Sequence, residues 1–237
     1  MRSGFTTLFA RELRHYFVTP IACVVIAVFW AASGFFFSFN ALFVAAPDMV
    51  SAFHNMSLLL MLMMPLVSMR TLAEERSNDT LELLLTLPVT EAGIVMAKYL
   101  ALLVILLLML AGSTLAVLPL ALYGSPDYGP ILGGYVGVFL LGAAFAAIGL
   151  AASSCAANQV VAAVLTWALL LLMWFVDYGA ALDGAGSAVR WLQHVSFSVQ
   201  YLDLIRGVLT RGALIWFGSV IAVGLVVATQ LLRSRRA

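Results

Sequence analysis

Between Arg70 and Lys98 the chain reads RTLAEERSNDTLELLLTLPVTEAGIVMAK. This stretch holds Arg70, Glu74, Glu75, Arg76, Asp79, Glu82, Glu91 and Lys98, in a chain of 237 residues with only 12 basic and 11 acidic side chains in all. The runs on either side, 49–69 and 99–123, contain no Asp, Glu, Lys or Arg. Each is close to the roughly 20 apolar residues that a helix needs to cross the hydrocarbon core of a bilayer. The quoted stretch is therefore a polar connection between two membrane-crossing helices, and the place where a soluble partner would meet the protein.

Composition supports the same class. With 64% hydrophobic and 10% charged residues and a mean hydropathy of +1.08, the chain is far from the composition of a soluble domain, where about a quarter of residues are charged. A net charge of +1 gives no footing for nucleic acid. Cys23 and Cys155 have neither metal nor redox spacing and read as packing residues. Arg2, Arg11 and Arg14 precede an apolar run that continues to Ala46, well beyond the roughly 7 to 15 residues of a signal-peptide core, so it reads as a retained anchor.

Working outward, the pattern predicts a single all-α membrane domain with six spans: about 20–46, 49–69, 99–123, 131–153, 159–176 and 213–232. Pro20 after Thr19 is a good start for the first span. Residues 177–212 form a non-spanning stretch in which Leu202, Ile205, Val208 and Leu209 recur at helical spacing, with Trp191 and Tyr201 expected at headgroup level. Residues 3–18 place Phe5, Leu8, Phe9, Leu13, Tyr16 and Phe17 on one face and Thr7, Arg11 and Arg14 opposite, the pattern of a helix lying in the interface. At about 100° per residue Glu12 falls inside the apolar stripe. A buried acid needs a partner, and Arg70 or Arg76 is the expected one. Arg2, Arg11, Arg14, Arg70, Arg76, Lys98, Arg233, Arg235 and Arg236 fall on one side of the membrane against Arg190, Arg206 and Arg211 on the other. By the positive-inside rule both termini and the 70–98 segment are cytoplasmic.

Several chemistries are excluded. The single lysine, Lys98, follows Ala97, so no GxxxxGK[ST] phosphate loop exists and the chain does not hydrolyse ATP by itself. His15, His54 and His194 are scattered and form no HExxH. The spans carry no Asp, Glu, Lys or Arg to relay protons, and His54, near an outer end, is the one group there that could titrate. Met49, Met56, Met61, Met63, Met64 and Met69 enrich the second span. A path for soft Cu(I) is conceivable there, but flexible packing is the plainer reading. Gly133 and Gly137 form a GxxxG, which serves close packing within the subunit or between two copies.

Within the polar stretch, the second span's helix is expected to continue through Glu75 and break at Ser77 to Asp79. Asp79 is then expected to cap a short helix over 80–87, with Glu82 in the reciprocal position. That helix ends at Pro88, and Thr90 caps the helix that leads through Lys98 into the third span. Leu81, Leu84 and Leu85 share one face of the short helix and Glu82 and Thr86 another.

The run AEERSNDTLELLLTLPV at 73–89 resembles the E-E-R-x-x-x-T-x-E-x-L-L-x-x-P signature of ABC-2 type ABC-transporter permeases. Arg11-Glu12, Pro20 and the small-residue end of the fourth span also look like that family, closest to its gliding-motility type. One departure is Asp79, where the family usually has glycine. The resemblance implies a permease half that dimerises and binds a separate cytoplasmic ATP-binding subunit, itself a dimer that carries the ATP and Mg; this chain would bind no cofactor. In that scheme 3–18 is the connecting helix, 80–87 the coupling helix, 154–158 a second, minor cytoplasmic contact, and 183–211 the external helices.

Glu74, Glu75, Asp79, Thr80, Glu82 and Pro88 would then contact or support the ATPase. Arg11 and Glu12 belong to the connecting helix, and Arg70 and Arg76 serve as internal ion-pair partners. The implied location is the bacterial inner membrane, in contact with lipid and open to an auxiliary periplasmic or membrane protein. The residues alone leave two other readings: a non-transporting membrane scaffold, or an autonomous channel.

Overall fold

The computed structural model describes residues 2–43, 49–81, 84, 89–116, 127–182 and 196–234. Its elements are α1 (Arg2–Val18), α2 (Pro20–Phe43), α3 (Met49–Ser68), α4 (Ala73–Ser77), α5 (Glu91–Ser113), α6 (Tyr128–Cys155), α7 (Gln159–Leu182), α8 (Phe197–Ile205) and α9 (Arg211–Arg233). A 3-10 turn, Thr114–Ala116, follows α5. Among the described residues there is no strand. Six of these helices are long and apolar enough to cross a membrane.

Backbone chemistry sets several of the boundaries. Thr19 closes α1 by turning its amide and hydroxyl back to the His15 carbonyl, at 3.1 and 2.9 Å, and Pro20 opens α2 at a position whose amide hydrogen a helix does not need. The Thr90 hydroxyl accepts from the Gly93 amide at 3.2 Å and starts α5. The carboxylate of Asp127 accepts from Gly129 at 3.1 Å and starts α6. Asn158 does the same for α7, accepting from Val161 at 2.9 Å.

The helix of α3 does not continue through Glu75; it stops at Ser68 and resumes at Ala73. The cause is a side chain eighty residues away in sequence. The Ser153 hydroxyl accepts from the Leu72 and Ala73 amides at 3.1 and 2.9 Å and donates to the Met69 carbonyl at 3.2 Å. It takes over hydrogen bonds that the helix would otherwise make and stabilises the break.

Helix α6 is the centre of the bundle, packed against α3, α5, α7, α8 and α9. Its small residues let backbones approach closely. A Cβ at Gly133 would lie 2.7 Å from the Gly207 backbone, and one at Gly137 would lie 2.7 Å from Leu204 Cβ. The GxxxG thus serves packing within the chain. Gly207 has φ +81°, a conformation that suits glycine, and it lets the chain leaving α8 turn away against α6.

Helix α8 is tucked into the bundle, and Tyr201 faces its interior. It is 1% exposed, and its hydroxyl donates to the Phe53 carbonyl at 2.9 Å. Trp191 lies outside the described residues, as do 183–195 as a whole.

Candidate functional site

Charge gathers at the end of the bundle where α1, α4 and the start of α5 meet. The apolar face of α1 puts Leu8 and Tyr16 in the core and Glu12 with them, 6% exposed. Tyr16 fixes the helix through its hydroxyl, which donates to the Val67 carbonyl at 3.2 Å; burial pushes its pKa up. On α5, Ile94, Lys98, Ala101, Leu102 and Ile105 form the buried stripe. Lys98 is therefore a cation on a helix's apolar face, at 1% exposure.

These two misfits answer each other. Lys98 Nζ donates to Glu12 Oε2 at 2.9 Å and lies 2.9 Å from Glu75 Oε1 of α4. Arg11 NH2 donates to Glu12 Oε1 at 3.0 Å and to Glu75 Oε1 at 3.3 Å. The four side chains close a ring of alternating charge. Burial raises the pKa of Glu12, but attraction and hydrogen bonds from Lys98 and Arg11 outweigh it, and the net shift is downward.

Glu12 thus pairs with neither Arg70 nor Arg76. Arg70 is held by Glu74, with NH2 donating to Oε1 at 3.1 Å and Nε 3.0 Å from Oε2. The latter contact is a charge contact out of line for a hydrogen bond. His15 Nε2 sits 3.7 Å from Glu74 Oε2. Arg76 points to the other side of α4 and donates to the carbonyls of Ala156 and Cys155 at 2.9 and 3.4 Å. There it satisfies the free carbonyl end of α6, where a cation is favoured. The physical reason for the difference is register: α1 lies along α5, so its inward face meets Lys98.

Asp79 closes α4, and the reciprocal cap expected between it and Glu82 lies outside the described residues. The φ of Asp79 is +55°, the Thr80 amide reaches the Glu75 carbonyl at 2.9 Å, and the Asp79 amide reaches Arg76 at 3.3 Å. This is the Schellman pattern, whose left-handed residue is usually glycine. Thr80 follows with its hydroxyl on the Glu75 carbonyl at 3.2 Å, and its own carbonyl accepts from Leu84 at 3.1 Å. Leu81 is half-buried and Leu84 is 2% exposed, so the segment turns leucines inward and leaves Asn78, Asp79 and Thr80 exposed. Glu82, Leu85, Thr86 and Pro88 lie outside the described residues.

Between α1, α4 and the segment after Asp79 lies a cavity of about 460 Å³, lined among others by Arg11, His15, Arg70, Glu74, Asn78 and Thr80, with Lys98 at its wall. One oxygen of the ring, Glu75 Oε2, is buried without a hydrogen-bond partner. Among the described residues no group of His, Cys, Asp and Glu is placed to hold a metal ion. The arrangement is suited to holding three elements in register and to presenting a polar, acid-bearing edge.

Two residues were not singled out from sequence as part of this end of the bundle: Lys98 as a buried partner and Ser153 as the cap of the α3–α4 break. The first had a signal, since a lone lysine in the i, i+4, i+7 apolar row of a helix breaks its pattern as Glu12 does. The second had none, for a serine near the end of a small-residue helix is common. The 154–158 linker lies against this end through Arg76.

No curated protein matches the chain. A family model described as ABC-2 family transporter protein matches residues 10–232, from the polar face of α1 to the end of α9. Such permeases are membrane components that work with an ATP-binding subunit, and this multi-pass chain belongs to the ABC-2 transporter family as a permease component of an ABC transporter.

Proposed function

We propose that the chain is the membrane half of an exporter, of the gliding-motility type, whose cargo crosses by alternating access driven by ATP hydrolysis on a separate cytoplasmic subunit. In this reading the α1 end faces the cytoplasm of a bacterial inner membrane, and two permease halves, alike or different, pair side by side. The segment 80–87 enters the ATPase as the coupling helix, with Glu74, Glu75, Asp79, Thr80 and Glu82 at or behind the contact. The observation that carries the reading is the contrast in charge. Among the described residues the membrane spans hold no Asp, Glu, Lys or Arg away from this end except Arg211 at the start of α9, while the α1 end concentrates Arg11, Glu12, Arg70, Glu74, Glu75 and Lys98 around an exposed turn at Asn78, Asp79 and Thr80. A soluble motor has polar, projecting backbone to grip there, and Leu84 anchors that backbone to the body.

The test is co-expression with any ATP-binding protein that the genes neighbouring this one encode. The full-length chain is expected to co-purify with it, and a chain lacking 80–87 is expected to enter the membrane but lose the ATPase. Equal recovery of the ATPase with the deleted chain overturns the coupling role. Ion flux through the purified chain alone, in liposomes without ATPase, would favour a channel instead.

A further inference from the structure

We propose that Lys98 is a positioning residue that staples the base of the coupling segment and shares that staple with α1, so that α1 and the segment move as one body. The inference rests on the proposed coupling role of 80–87 for its functional meaning, and on the geometry of the ring for its substance.

The order of the chain gives the ring its leverage. Glu75 lies in α4, just before the exposed turn, and Lys98 lies in α5, just after Thr90 and the first turns that follow the segment. Their 2.9 Å contact closes the segment at its base. The same ammonium, at the same distance, holds Glu12 of α1, and Arg11, the neighbour of Glu12, returns to Glu75. A lysine at 1% exposure cannot exchange these partners for water without moving a helix. Leaving an ammonium or a carboxylate alone in such a place is costly, so the three elements separate together or not at all. Beside the ring, His15 of α1 lies 3.7 Å from Glu74, which Arg70 also holds, so α1 and α4 face each other there as well. Arg76 then carries α4 to the end of α6. A push on the segment is in this way delivered to α1 and to the central helix, as well as along α3 and α5.

The staple is electrostatic, and this separates it from ordinary packing. Removing Lys98 alone strands two carboxylates, whereas removing all the buried charge at once leaves neutral groups of similar size. The experiment places spin labels at Arg14→Cys on the exposed face of α1 and at Ser77→Cys at the end of α4, with Cys23 and Cys155 replaced by alanine, in the purified full chain in lipid nanodiscs. The parent is expected to give one narrow distance distribution. Lys98→Met is expected to broaden it and to lower the melting temperature. The triple variant Glu12→Gln, Glu75→Gln, Lys98→Met is expected to recover the melting temperature while the distribution stays broad. A merely structural role would move the two readouts together.

A narrow distribution in the triple variant overturns the proposal, and so does one in Lys98→Met. Should Lys98→Met fail to fold, the triple variant decides. Deleting 80–87 in the labelled parent keeps the two questions apart. Loss of the ATPase with a narrow distribution leaves the staple standing, and an ATPase that still binds refutes the coupling role without touching the staple.

Discussion

At the α1 end, Lys98, Glu12, Arg11 and Glu75 meet through four contacts of 2.9 to 3.3 Å drawn from three elements. Along the middle of α6, Gly137, Gly142 and Ala147 meet Leu204, Leu106 and Gly224 through van der Waals contact alone. The first region is held by a few directional contacts, each with a named partner, and the second by many small ones with none. The lesson lies in how each fails. A close-packed interior has no second arrangement of similar energy to move to. A charge ring at the end of the bundle can be opened by changing the charge of one member. The part of the molecule able to respond to a partner or to protons is thus the α1 end, and α6 is the frame against which it moves.

The sharpest way to break this contrast is at the point where the two regions join. Ser153→Ala keeps the small-residue surface of α6 but leaves the buried Leu72 and Ala73 amides without an acceptor. It should cost about 3 kcal/mol, given about 1–3 kcal/mol per stranded group, read from unfolding in detergent. In the close-packed region, Gly137→Val would drive a Cβ to 2.7 Å from Leu204 Cβ and should cost about 2 kcal/mol by overpacking. The same change at Gly34, where nothing lies within 4 Å of a Cβ, should cost far less.

Acid should distinguish the two regions with a smaller effect. The pKa of Glu12 is lowered in the folded protein, so its contribution is fully present above the unfolded value of about 4.3. That contribution is lost as pH falls through the lower folded value. Melting temperature followed downward from neutrality should fall through that window by more in the parent than in Glu12→Gln, and equal slopes would remove Glu12 from the account. The least effect is a gain: Asp79→Gly places glycine at φ +55° and should stabilise by about 0.5 kcal/mol. A loss there would mean that the Asp79 carboxylate has a role in the turn beyond its backbone.

The membrane-spanning helices were legible because a bilayer imposes length and apolarity on each span separately, and neither needs knowledge of a neighbour. The need of Glu12 for a partner was legible for the same reason, from its place in one helix's stripe. The identity of that partner was not, because it depends on how α1 lies across α5, a relation between elements that periodicity within either cannot express. Arg76 was misassigned by the same gap: its charge suggested an acid, while the structure gives it the bare carbonyls at the end of α6. That Tyr201 turns into the bundle was not legible from α8 alone, because the Phe53 carbonyl that holds it belongs to another helix. At Asp79 the family's preference for glycine was visible in the sequence. That glycine pointed to a left-handed turn, and the dihedral angle shows that the turn closes α4.

The ring also has a history within each molecule. Glu12 and Lys98 are separated by 86 positions, and chains are made at about 5–20 residues per second. On the order of ten seconds therefore pass between the synthesis of one partner and the other. Throughout that interval α1 exists with its acid unmatched, on a helix amphipathic enough to rest on the bilayer surface. Docking of α1 is thus a late event, possible only once the helix that bears Lys98 has been delivered to the membrane. Until then the ribosome's own progress keeps the staple open.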